Sequence, residues 1–122
     1  MAKKVLIVED YPATSKMMAE ILEMEGIQSV ITPDGTDGLE KATKEKPDLI
    51  LLDIMLPGMS GLDVCSNLKS NPVTKNIPVI MVSVKAADAD VKNGLAKGAD
   101  GYLSKPFDPF KLIEVVKKNL GM

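Results

Sequence analysis

The sequence predicts a doubly wound α/β domain, a five-stranded parallel sheet with helices on both faces. Three observations carry this reading. Apolar runs of strand length alternate five times with amphipathic stretches of helix length. The strongest runs, Val5–Val8, Leu49–Leu52 and Ile77–Ser83, show little polar alternation, as strands covered on both faces should. At 122 residues, 45% hydrophobic and 26% charged, the chain suits one domain with a packed core. Right-handed crossovers must carry the chain back over the sheet between parallel strands, which accounts for the helix after each run.

In order, Val5–Val8 is the first strand. Ala13–Glu25 is a helix placing Met17, Ile21 and Met24 on one face with Met18 and Leu22 beside it, and Gly26 is its left-handed stop. Met17, Met18 and Met24 are read as core. Gln28–Thr32 is a weaker strand. Asp34 caps a helix that packs Leu39 and Ala42 and ends before Pro47. Leu49–Leu52, the most hydrophobic run, is a central strand ending at Asp53. Ser60 and Asp63 form a Ser-x-x-Asp start for a helix bearing Leu62, Val64, Cys65 and Leu68. Ile77–Ser83 is the fourth strand. Ala86–Lys97 is a helix weakened by Gly94, with Val91 and Leu95 inward and Gly98 as its stop. Gly101–Ser104 is the last strand. Asp108 and Pro109 open a final helix with Phe110, Ile113, Val116 and Leu120 on its buried side.

Composition excludes several functions. There is no histidine, which removes serine/histidine and cysteine/histidine catalysis and cysteine/histidine metal sites. Cys65, the single cysteine, is read as a small buried apolar residue. All 15 basic residues are lysine and the net charge is −2, so direct binding of nucleic acid, which favours arginine forks and clustered positive charge, is not expected. No apolar run has the length of a membrane span or a signal peptide, so no membrane association is expected and the cytoplasm is the expected location. Residues 1–122 are expected to form one domain.

In open α/β sheets the functional crevice lies beyond the carboxyl ends of the strands. The residues there are Glu9 and Asp10 after the first strand, Asp53 after the third, Ser83 at the end of the fourth and Lys105 after the fifth. Three carboxylates brought together repel one another and call for a cation. An all-oxygen ligand set points to Mg²⁺, with Mn²⁺ as the alternative. A carboxylate aimed at such a site can accept a phosphoryl group, a reaction that needs positioning and charge neutralisation above all. Asp53 is the candidate acceptor.

The segments VLIVED (5–10), PDLILLDIMLPGMSG (47–61), IPVIMVS (77–83) and GADGYLSKPF (98–107) resemble the receiver domains of two-component response regulators, of the CheY-like type. The resemblance spans the chain and implies strand order 2-1-3-4-5. It implies Asp53 as phosphoacceptor, Asp10 and Asp53 as direct Mg²⁺ ligands with the backbone carbonyl of Met55, and Glu9 assisting through water. It makes Lys105 and Ser83 the phosphoryl contacts, with a cis bond before Pro106. Ser83 and Tyr102 become switch residues, and the face of the fourth helix, fifth strand and fifth helix becomes the output surface for an unidentified target. The phosphoryl donor is expected to be a separate histidine kinase or histidine phosphotransfer protein, since the chain has no histidine of its own. The protein would then be no enzyme beyond its own phosphorylation and dephosphorylation.

Two positions depart from the family pattern. Val84 stands where a small residue usually follows the switch hydroxyl, and its methyls are expected to narrow the approach to Asp53 or the space into which Tyr102 turns. Met55 has no polar side-chain group to orient an attacking water, so slow self-dephosphorylation is expected. A flavin-binding reading fails because Glu9 and Asp10 would repel a phosphate where amide donors are needed. An aspartyl-phosphate phosphatase would carry an Asp at the position of Met55. The remaining alternative is a pseudo-receiver or scaffold that binds partners without phosphorylation, a role that has no need of all five site residues.

Overall fold

Five parallel strands form one sheet in the order second, first, third, fourth, fifth, the order the family resemblance implies. The computed structural model describes residues 3–84 and 96–122, apart from the side chain of Ser83. Along the chain the elements are β1 (Lys4–Val8), α1 (Pro12–Met24), β2 (Gln28–Thr32), α2 (Gly35–Glu45), β3 (Leu49–Asp53), α3 (Gly61–Ser70), β4 (Val79–Val84), β5 (Gly101–Lys105) and α4 (Pro109–Leu120). The helix predicted over Ala86–Lys97, with Val91, Gly94 and Leu95, lies almost wholly outside the described residues.

Alternation along the strands divides the interior into two cores. Val5, Ile7, Leu49, Leu51, Ile80, Val82 and Leu103 face α1 and α4, which bring Met18, Leu22, Leu112, Val116 and Leu120. Leu6, Val8, Ile50, Leu52, Val79 and Met81 face α2 and α3, which bring Ala42, Val64, Cys65 and Leu68. Both faces are covered, so the central strands have no position for a polar residue until they reach their carboxyl ends.

Local chemistry sets the helix ends as the sequence predicts. Asp34 accepts from the amide of Asp37, Ser60 from those of Leu62 and Asp63, and Asp108 from that of Phe110. Gly26 takes φ +76°, the left-handed stop after α1. Two helix faces differ from the prediction. In α1 the core receives Ser15, Met18 and Leu22, whereas Met17 and Met24 are 43% and 85% exposed and Ile21 is only partly buried. Both stripes satisfy helical spacing; Ser15 can lie inward because its hydroxyl donates to the Pro12 carbonyl at 3.2 Å. In α4 the buried stripe is Leu112, Val116 and Leu120, with Phe110 exposed and Ile113 half-buried. Phe110 sits in the first turn beside Pro109, two residues before Leu112, and so lies on the other side of the helix from that stripe.

Thr32, at the end of β2, is 1% exposed, and its hydroxyl has no partner among the described residues. Burying an unpaired hydroxyl is costly, and valine has nearly the same shape. Thr32→Val is therefore expected to raise stability by about 1 kcal/mol, read as a higher urea midpoint at unchanged slope. A lower midpoint would show that the hydroxyl has a bonding role.

Candidate functional site

The carboxyl ends of β1, β3, β4 and β5 lie side by side, because the register pairs Val8 with Leu52, Asp53 with Val82, and Val84 with Lys105. β1, β3 and β5 turn polar as they leave the core, and Glu9, Asp10, Asp53 and Lys105 meet there. One carboxylate oxygen from each of Glu9, Asp10 and Asp53 lies within 4.8 Å of the others. Glu9 and Asp53 are 2% and 6% exposed, while Asp10 is exposed.

Asp53 is the last residue of β3 and is buried. Its Oδ1 accepts from the Met55 amide at 3.2 Å, and its Oδ2 lies 3.5 Å from the Lys105 ammonium. The loop after it returns at Gly61, whose amide donates to the Ile54 carbonyl at 2.8 Å. A Cβ at Gly61 would stand 2.0 Å from the Asp53 carbonyl oxygen, so only glycine lets α3 start this close to the acceptor. Nothing local in the sequence signals the contact.

Glu9 extends the ladder of β1, its amide donating to the Thr32 carbonyl at 3.0 Å. Its side chain is held from two sides: Oε1 accepts from Lys105 and Oε2 from the Tyr11 amide at 3.3 Å. Burial pushes the Glu9 carboxyl above its ordinary range; the Lys105 ammonium opposes this and Asp53 adds to it. Among the described residues Asp10 has no cation within ion-pair distance, which leaves its carboxylate free to bind one.

Lys105 leaves β5 and bridges Glu9 and Asp53, with its side chain 20% exposed. The Lys105–Pro106 bond is cis, as the resemblance implies. Tyr102 lies three residues earlier with its ring partly buried against α3's core, and its hydroxyl donates to the Val84 carbonyl at 3.4 Å. Val84 is 64% exposed. It lines an apolar depression of about 400 Å³ with Thr14, Met17, Lys105, Pro106 and Phe107. Ser83 occupies the expected strand position, paired in register with Ser104; its side chain is outside the described residues.

The donor set fits a hard divalent cation: three carboxylates, no nitrogen or sulfur ligand, one of the carboxylates exposed. The profile of the response regulator receiver domain matches residues 5–117. The chain belongs to the response regulator receiver family. This receiver is 38% identical over 120 residues to the DNA-binding response regulator MtrA of Mycolicibacterium smegmatis, an alignment covering 98% of the chain and 51% of MtrA. The chain thus spans about half the length of the curated relatives it matches. A CheY-like receiver domain protein from Methanospirillum hungatei superposes with a TM-score of 0.92 at 33% identity, covering 99% of this receiver and 95% of that chain. The receiver domain of sensor histidine kinase PA1611 from Pseudomonas aeruginosa, solved with a magnesium ion coordinated in its active-site cleft, superposes with a TM-score of 0.92 at 25% identity, and each chain is fully covered.

Proposed function

We propose that this receiver accepts a phosphoryl group on Asp53 in a Mg²⁺-dependent reaction and changes the face it offers to a partner. The observation that carries the proposal is the meeting of Glu9, Asp10, Asp53 and Lys105 at one sheet edge. Asp10, Asp53 and the Met55 carbonyl would hold Mg²⁺ directly and Glu9 would assist through water, as the resemblance assigns, and the ion would neutralise phosphoryl oxygens. An Asp53 carboxylate oxygen attacks phosphorus, the bond from phosphorus to the donor's nitrogen breaks, and the aspartyl phosphate forms as the donor histidine leaves. Lys105, already 3.5 Å from Asp53, holds a phosphoryl oxygen. Ser83 keeps the contact the resemblance gives it, and Tyr102 responds to its movement.

The family resemblance makes the donor a histidine kinase or histidine phosphotransfer protein, and since the chain contains no histidine that donor is a separate protein. The receiver is no enzyme beyond turnover of its own phosphoryl group, and it acts in the cytoplasm. Among the described residues no helix is long and apolar enough to cross a membrane. The phosphorylated form must bind its target better than the other form, since equal affinity would shift nothing. Incubation with acetyl phosphate followed by intact-mass measurement tests the proposal. One added phosphoryl group with Mg²⁺, and none with chelator, is the expected result; no addition with Mg²⁺ would favour a scaffold that works unphosphorylated.

Val84 sets the width of the approach. Its exposed side chain shares a depression with Lys105, the residue whose ammonium reaches Asp53. Val84→Ala is expected to speed both phosphorylation by acetyl phosphate and loss of the phosphoryl group, by about tenfold at most, because removing one or two methyl contacts relieves on the order of 1 kcal/mol. Unchanged rates with a lower urea midpoint would show that Val84 serves packing alone.

A further inference from the structure

At the opposite end of the sheet, a second cluster of contacts joins α3 to the chain that leads into β5. Lys69 Nζ donates to the Ile77 carbonyl at 2.8 Å and to Asp100 Oδ2 at 2.9 Å, with a longer contact to the Lys75 carbonyl at 3.3 Å. The same Asp100 oxygen accepts from the Val79 amide at 2.9 Å, and the Asp100 amide donates to the Val79 carbonyl at 2.8 Å. One carboxylate therefore ties the first residue of β4 to the residue before β5, and one ammonium ties both to α3. The Lys69 side chain is 18% exposed and that of Asp100 42%, so the ammonium is largely covered while the carboxylate keeps one side to solvent.

Two further contacts extend the cluster along the same helix face. Gly98 takes φ +99°, and a Cβ there would lie 2.9 Å from Lys69 Cγ, so the backbone both needs glycine and rests on the lysine stem. One turn earlier on α3, the buried Cys65 thiol donates to the Lys97 carbonyl at 3.6 Å. Residues 97–100 thus lie across a strip of α3 formed by positions 65 and 69, which share a face.

We propose that Lys69 and Asp100 form a fixed pivot that holds the amino ends of β4 and β5 on α3, so that displacement at their carboxyl ends, where Ser83, Val84 and Lys105 lie, turns about a held base. Lys69 is a positioning residue: it touches none of the acidic cluster and sets the base from which two of the site's strands project. Removing its ammonium leaves the Ile77 carbonyl and Asp100 without their charged partner, and residues 97–100 lose the contact that seats them. The pivot goes beyond the proposed function and does not depend on Asp53 being phosphorylated.

Cys65 reads the pivot directly, because its thiol is covered where residues 97–100 cross α3. The experiment measures alkylation of Cys65 by iodoacetamide in the full chain, at urea concentrations below the unfolding transition, for wild type, Lys69→Met and Asp100→Asn. In wild type the rate should follow global unfolding, with the full urea slope. Both variants should label faster by about tenfold or more without urea, with a shallow slope, because the strip opens while the rest stays folded. Electrostatics alone gives another pattern. Burial raises the Cys65 thiol, Lys69 lowers it and Asp100 raises it, so the two substitutions would change thiolate content in opposite directions. Opposite changes in rate, or faster labelling that keeps the full urea slope, would overturn the pivot. Asp100→Asn keeps an acceptor for the Val79 amide and carries the test if Lys69→Met does not fold.

Discussion

Asp10→Asn is expected to weaken Mg²⁺ binding by about a hundredfold or more, whereas Glu9→Gln should weaken it by about tenfold, the low end of what loss of an outer-shell partner costs. The difference follows from what each carboxylate is already doing. Asp10 is exposed and has no cation beside it among the described residues, so its full charge is available to an ion. Glu9 is buried and its two oxygens are engaged by Lys105 and the Tyr11 amide. In the proposed site Glu9 would act on the ion through water and by placing Lys105, and glutamine retains an acceptor for Lys105. Calorimetric titration of both variants with MgCl₂ checks this division. Equal losses would show that Glu9 is a direct ligand, and a loss confined to Glu9→Gln would reverse the assignment.

Gly61→Ala is expected to destabilise the fold by about 3 kcal/mol or more, at the upper end of what overpacking costs. The added Cβ would meet the Asp53 carbonyl oxygen at 2.0 Å and the Ile54 Cα at 2.7 Å, and these are backbone atoms that no rotamer change can move aside. Relief requires shifting either the start of α3 or the end of β3, and the second moves Asp53 itself. Any folded fraction should therefore accept phosphoryl groups more slowly than wild type. Urea denaturation gives the stability and the intact-mass time course gives the rate. A midpoint within error of wild type would show that the α3 start is free to move away from β3.

The sheet was legible because its central strands are covered on both faces: Val5–Val8 and Leu49–Leu52 leave no place for a polar side chain, so the first charged residues mark the strand ends. The same fact made most of the site legible, since Glu9, Asp10 and Asp53 follow such runs, whereas Lys105 ends the edge strand β5 with its mixed burial. Helix faces were harder. Met17, Ile21 and Met24 satisfy helical spacing as well as Met18 and Leu22 do, and the choice belongs to the sheet that α1 meets, with Ser15 admitted by its bond to the Pro12 carbonyl. Phe110 was misread for a related reason: its apolar character fits a buried stripe, but the docked face of α4 runs through Leu112, Val116 and Leu120. Contacts between distant residues left no local trace. The approach of Gly61 to Asp53 and the bond from Lys69 to Asp100 exist only once the strands are in register.

The central claim is that Asp53 carries the phosphoryl group, and borohydride trapping tests it most directly. An acyl phosphate is reduced by borohydride to an alcohol, which turns a phosphorylated aspartate into homoserine and leaves free carboxylates untouched. Protein treated with acetyl phosphate and Mg²⁺, reduced and mapped by peptide mass spectrometry should show homoserine at position 53 and nowhere else, and omission of Mg²⁺ should abolish it. Homoserine at position 10, or at any aspartate other than Asp53, would contradict the account.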